Sequence, residues 1–72
     1  MEKNKQLKII QVVNTKLSEL ERQRNMYLNL LHEDISGLAE EIILASLREI
    51  NKDIVYLEEL KEEVLNGNKD NS

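Results

Sequence analysis

The chain has 72 residues, of which 40% are hydrophobic and 33% charged, and its formal net charge is −4. It contains no cysteine and only one histidine, which excludes disulfide bonds, thiolate metal sites and cysteine-based catalysis. There is no tryptophan or phenylalanine, so the core must be aliphatic, and the bias toward Leu, Ile, Glu and Lys is typical of long helices.

The first half of the chain predicts one long helix, at about residues 3–33. Its apolar residues recur in alternating steps of three and four, which is the spacing of one buried helix face. Arg24 interrupts this stripe. Either its methylene groups lie along the core while the guanidinium reaches water, or a carboxylate such as Glu21 or Glu49 holds it. The stripe consists of Ile10, Val13, Leu17, Leu20, Arg24, Tyr27 and Leu31, and it is widened by Ile9, Leu28 and Ile35.

A turn is predicted at about residues 33–37, near Gly37. The apolar stripe of the second half is displaced from the first by about 100° around the helix axis, so a single rod would have to swing its seam abruptly. Asp34 and Ser36 are both capable N-caps for a new helix, and Glu40 would face its positive end. His32 is expected at the turn or at the end of the first helix. The alternative is one continuous helix through this region.

A second helix is predicted at about residues 37–66, and Gly67 is the expected stop because glycine commonly follows a helix end. Residues 67–72 are expected to form a disordered polar tail. Lys61 interrupts the second stripe as Arg24 does the first. This stripe consists of Ile43, Leu47, Ile50, Ile54, Leu57, Lys61 and Val64, with Ala39 and Leu65 in the same band.

Together these elements predict an all-α fold, a single antiparallel helical hairpin over residues 1–72. More aliphatic side chains flank the two stripes than one hairpin can cover, and a large exposed apolar patch is unusual for a monomer. Two hairpins packed as a homodimeric four-helix bundle would cover them. The alternatives are ordinary scattered exposure or a patch for a different protein. The candidate interface residues are Met26, Leu30, Ile42, Leu44, Val55, Tyr56 and Leu60.

No residue pattern indicates catalysis, a cofactor site or a metal site. His32 has no cysteine or oriented carboxylate partner in the sequence, and the Glu-x-x-His spacing of carboxylate-bridged metal sites fails because residue 29 is Asn. No glycine-rich phosphate loop is present, so cofactors are not expected. The chain is expected not to be an enzyme.

The function predicted from these residues is a small protein–protein interaction module: an adaptor, an antirepressor or an inhibitor that works by contact. The outline resembles dimeric helical-hairpin regulators in general plan only. A dimeric nucleic-acid-binding regulator is the weaker alternative, because the cations of the first helix spread around it and the chain is acidic. A structural coiled-coil element is the third. No apolar run is long enough to span a bilayer, and a cytoplasmic location is expected.

Overall fold

The fold is a two-helix antiparallel hairpin. A computed structural model describes the backbone of residues 2–70 and the side chains of residues 2–67. Helix α1 spans Lys3–Leu31 and helix α2 spans Gly37–Asp70. The two pack along their length into a slender body with extents of 55 × 17 × 12 Å. The all-helical hairpin predicted from the two apolar stripes is therefore confirmed, and the continuous-rod alternative is wrong.

The two predicted stripes form the seam between the helices. Leu20, Ile50 and Ile54 make its central cluster, with Leu17 and neighbouring side chains packed against them. The main residues of both predicted stripes are all buried or half-buried. Leu28 and Leu65, which were expected to widen the stripes, are instead 41% and 50% exposed. The stripes fall on the contact surface because a step of three or four residues returns each side chain to the same side of its helix. The buried hydrophobic residues are Val13, Leu20, Ile43, Leu47, Ile50, Ile54 and Val64.

One buried residue was missed. Gln6 is 8% exposed, and its side-chain amide donates a 2.6 Å hydrogen bond to the backbone carbonyl of Val64 on the other helix. Its position continues the seam, since it lies four residues before Ile10. The hydrogen bond lets a polar side chain occupy the seam without leaving its amide unsatisfied. It also fixes the register, because it places residue 6 of α1 beside residue 64 of α2.

The turn between the helices is one residue earlier than predicted. Helix α1 ends at Leu31, because the backbone N–H groups of His32 and Glu33 bond to carbonyls three residues back and tighten its last turn. Of the two predicted N-caps, Ser36 is the one used: its hydroxyl accepts a 3.2 Å hydrogen bond from the N–H of Ala39. Gly37 does not have a positive φ, so the turn does not use the conformational freedom of glycine.

The predicted end of the second helix is wrong. Helix α2 continues through Gly67 to Asp70 instead of ending at residue 66. Gly67 has no positive φ and therefore does not form the left-handed cap that would stop a helix. Glycine inside a helix costs only about 1 kcal/mol relative to alanine, which neighbouring residues can offset. The predicted disorder of residues 71 and 72 lies outside the described residues.

Three residues that the sequence placed in the stripes lie at the edges of the seam: Arg24, Lys61 and Leu65. Arg24 is half-buried, and among the side chains of residues 2–67 it has no ion-pair partner, which favours the arrangement with its charged head in water. Lys61 is half-buried in the same way. Leu65 was placed in the second stripe but is 50% exposed, because it lies one residue past Val64 and so turns away from α1.

Candidate interaction surface

The seam leaves many aliphatic side chains on the outside of the hairpin. The packing of two helices covers one side of each, and the residues next to the seam stay in solvent. Val12 is 70% exposed, Ile42 60% and Val55 54%. These side chains divide between two long flanks of the hairpin, one on each side of the seam.

The larger set lies on what we call the Ile42 flank. Val12 and Leu30 of α1 are 18 residues apart, and so are Ile42 and Leu60 of α2, which is five full turns of helix in each case. The members of each pair therefore lie on the same side of their helix. Helical spacing from Ile9, Val12 and Leu60, which line one groove, assigns to the Ile42 flank Ile9, Val12, Met26, Leu30, Leu38, Ala39, Ile42, Tyr56 and Leu60.

A groove joins the two helices on the Ile42 flank. Its volume is about 410 Å³, and it is lined by apolar side chains of both helices. Ile9 and Val12 contribute from α1 and Leu60 from α2, while seam residues form its floor. Lys8 and Lys16 stand along its α1 edge. The groove places an apolar surface beside cations at the end of the hairpin that holds the chain termini.

The apolar residues of the Ile42 flank form two clusters. By position along the helices, the terminal cluster contains Ile9, Val12, Tyr56 and Leu60, and the turn cluster contains Met26, Leu30, Leu38, Ala39 and Ile42. Their centres are about 27 Å apart, because 18 residues separate them along each helix at 1.5 Å per residue. Polar residues fill the band between them: Lys16, Glu19, Gln23, Ser46, Glu49 and Asp53.

The opposite side, which we call the Val55 flank, is less apolar. Its aliphatic residues are Leu7, Leu28, Leu44, Val55 and Leu65. Acidic residues interrupt them, and a groove of about 370 Å³ there is lined by Glu21, Glu58 and Glu62 beside Leu17, Lys61 and Leu65. Val55 adjoins a second hollow with Arg48 and Lys52. The two flanks thus differ in both apolar content and charge.

Each predicted interface residue lies on one of these flanks. Met26, Ile42 and Tyr56 are exposed on the Ile42 flank, and Leu30 and Leu60 are half-buried beside them. Leu44 and Val55 are exposed on the Val55 flank. Helix periodicity alone separates Ile42 and Leu60 from Leu44 and Val55 on α2. The structure adds that Met26 and Leu30 of α1 share the side of Ile42. It also adds Ile9, which was assigned to the seam and instead lines the groove.

Charged side chains contribute little to the hairpin itself. Within the described side chains the ion pair is between Lys16 and Glu19, at 3.8 Å and on one helix. Both side chains are at least half exposed, so solvent screens the pair and its contribution is small. No ion pair joins the lysines near the start of α1 to the acidic residues of α2 within residues 2–67.

His32 caps the end of α1 through its backbone. Within the part of the chain that the structure describes, no group of three or more His, Cys, Asp or Glu side chains could hold a metal ion. Neither helix, over the residues described, is long and apolar enough to cross a membrane.

Comparisons with protein families, with curated proteins and with solved structures find no match for this chain.

Proposed function

We propose that this chain is a non-enzymatic interaction module, a helical hairpin that self-associates and works by contact with another macromolecule, as an adaptor, an antirepressor or an inhibitor does. The observation that carries the proposal is the exposure of Met26, Ile42 and Tyr56 beside a seam that is already filled. Exposed aliphatic patches of this kind mark interaction surfaces in soluble proteins.

The thin core supports self-association. No described side chain is less than 2% exposed, so the hairpin alone encloses none of them fully. A chain of this size has a small core and needs a partner layer or unusually good packing. Full burial of a Leu or Ile side chain stabilises by roughly 1.5–3 kcal/mol, so covering one flank would add several kcal/mol to folding. A second copy of the same chain would supply such a layer.

Sedimentation equilibrium over a wide range of chain concentrations tests the self-association. The expected result is a two-chain species that dissociates on dilution, with a weaker association for Ile42→Glu and for Leu60→Glu, because each would place a carboxylate among aliphatic side chains. A one-chain species at every concentration contradicts the proposal.

A salt titration separates contact with protein from contact with nucleic acid. Cations that neutralise phosphates release counterions, so nucleic-acid binding weakens steeply as salt rises. We expect no retention on bulk RNA or DNA even at low ionic strength, since the cations of α1 are not clustered. Retention at low salt that is lost as salt rises would replace the present proposal with a nucleic-acid-binding one.

A further inference from the structure

The two flanks differ in apolar content and in charge, and this difference indicates which flank forms the interface between two copies. We infer that the Ile42 flanks of two copies pack against each other with both turns at the same end, so that α1 of each copy lies against α2 of the other. This inference rests on the self-association proposed above. Beyond self-association, it specifies which flank forms the interface, how the two hairpins are oriented and which residues of the two copies contact each other.

The register of one hairpin gives the heights of its residues along the long axis. Gln6 is bonded to Val64, and Leu20 shares a cluster with Ile50. A residue of α1 is therefore at the same height along the long axis as the residue of α2 that is the same number of positions from the turn. When two copies stand with their turns at the same end, the same levels hold between the copies.

At these levels apolar residues meet apolar residues. Ile9 of one copy is level with Leu60 of the other, so the terminal clusters pack together. Met26 lies within two residues of the level of Ile42, about 3 Å along the axis, so the turn clusters do the same. Each copy thereby covers the groove of the other, and the aliphatic side chains left exposed by one hairpin become a second core layer.

Opposite charges also meet in this arrangement. Lys5 of α1 is close to the level of Glu63 of the other copy, and Lys16 is close to the level of Asp53. These side chains are exposed in the single hairpin. Lys16 forms an exposed ion pair with Glu19 of its own helix, and that pair is weak enough for Asp53 of the other copy to replace it. One pair of the polar band, Glu19 with Glu49, is unfavourable in this arrangement and offsets part of the attraction between Lys16 and Asp53.

The opposite arrangement, with the turns at opposite ends, fits less well. To bring Ile42 against Leu60 of the second copy, it places Glu49 against Asp53, which are like charges. It then pairs Lys16 with the neutral Gln23 instead of with a carboxylate. The charges of the polar band therefore favour the arrangement in which the turns coincide.

The face is large enough for a stable dimer. The hairpin measures 55 Å by 17 Å on its broad side, an area of about 900 Å², and a standard specific interface buries about 800 Å² on each partner. An interface of this size requires contact along the whole hairpin, with apolar contacts in the two clusters and polar contacts in the band between them.

Disulfide formation between single-cysteine variants tests the geometry, because the natural chain has no cysteine. Met26→Cys mixed with Ile42→Cys should form a cross-linked two-chain product. Met26→Cys mixed with Val12→Cys should not. These side chains are all at least half exposed, so the hairpin should tolerate the changes, and circular dichroism verifies its helicity. A cross-link through Val12 overturns the inference in favour of opposed turns.

A charge exchange tests the same geometry without cross-linking. One chain carries Lys16→Glu and the other Asp53→Lys. Like charges face each other in both homodimers, whereas both interchain pairs are attractive in the mixed dimer. We expect native mass spectrometry to show several-fold more mixed dimer than random pairing gives, with the excess falling as salt rises. Random pairing at low salt overturns the inference.

The assignment of the flank has a matched control. Ile42→Glu and Val55→Glu place the same carboxylate at similarly exposed positions on opposite flanks. Ile42→Glu should raise the dimer dissociation constant by ~10-fold or more, as the loss of one well-packed anchor does, and Val55→Glu should leave it within about threefold. The reverse order overturns the choice of flank while leaving self-association intact. Absence of any natural dimer rejects both the inference and the self-association on which it rests.

Discussion

Ile42 and Ile43 are identical side chains at adjacent positions of one helix, yet Ile43 is 8% exposed and Ile42 is 60% exposed. The difference comes from the 100° that separates neighbouring residues around a helix, which turns one toward α1 and the other away from it. The same contrast runs along the whole molecule. Seam residues hold the two helices together, while flank residues of the same chemical type keep much of their surface in solvent and stabilise a single hairpin less.

This contrast separates the two tasks of the aliphatic residues. The seam needs steps of three and four, and the chain supplies them in both helices. The flank residues are not needed for the seam, and exposing aliphatic side chains to water does not stabilise the hairpin. Their distribution, two clusters with a polar band between them, is what the proposed contact with a second hairpin of the same length would use.

The largest expected loss of stability comes from a substitution in the seam. Ile50→Ala removes side-chain volume from the central cluster and should lower the free energy of unfolding by about 2–4 kcal/mol, the range for large-to-small core changes. Val55→Ala, on an exposed position outside the seam and outside the proposed dimer face, should stay within about 0.5 kcal/mol. Urea denaturation at one fixed chain concentration measures both. Equal losses would show that burial along the seam does not decide stability.

The polar member of the seam comes next. Gln6→Ala removes the 2.6 Å hydrogen bond to the Val64 carbonyl and should cost about 1–2 kcal/mol, since both this bond and the packing of a buried side chain are lost. Gln11→Ala is the matched control, because Gln11 is an exposed glutamine on the same helix. The same denaturation series compares them. If Gln6→Ala is as mild as the control, the hydrogen bond does not stabilise the register.

A smaller effect is expected at the turn that sets the two seams opposite each other. Ser36→Ala removes the side-chain cap of α2 and should cost about 1 kcal/mol. Asp34 was the other candidate cap and lies exposed in the turn, so Asp34→Ala should cost less. Thermal unfolding followed by circular dichroism orders the two variants. A larger loss for Asp34→Ala would mean that α2 begins earlier than Gly37.

The smallest effect should be stabilising. Gly67 lies within α2 with open space where a Cβ would be added, and its φ is not positive. Gly67→Ala should therefore raise the free energy of unfolding by about 0.5–1 kcal/mol through helix propensity alone. The same thermal measurement detects it. A loss of stability would instead support the left-handed cap that the sequence suggested.

The hairpin was predictable because both stripes keep the three-and-four spacing across many turns, and their mismatch in phase requires a turn between them. Gln6 was missed because apolar periodicity ignores a glutamine, although the step of four before Ile10 was available as a signal. The end of α2 was misplaced because Gly67 carries no local mark that distinguishes a cap from a tolerated helical glycine.

The candidate surface was only partly predictable. Helix periodicity placed Ile42 and Leu60 on one side and Leu44 and Val55 on the other. It could not say which side of α1 joins which side of α2, because that depends on how the two helices face each other. The groove shared by Ile9, Val12 and Leu60 supplies this link, and the bond from Gln6 to Val64 supplies the heights.

Small-angle X-ray scattering, with the mass taken from the forward scattering, tests the central claim most directly. The account predicts a particle of two 8.4 kDa chains whose length stays close to the 55 Å of one hairpin, because the two copies lie side by side along their whole flank. A one-chain particle at high concentration, or a two-chain particle about twice as long, would contradict it.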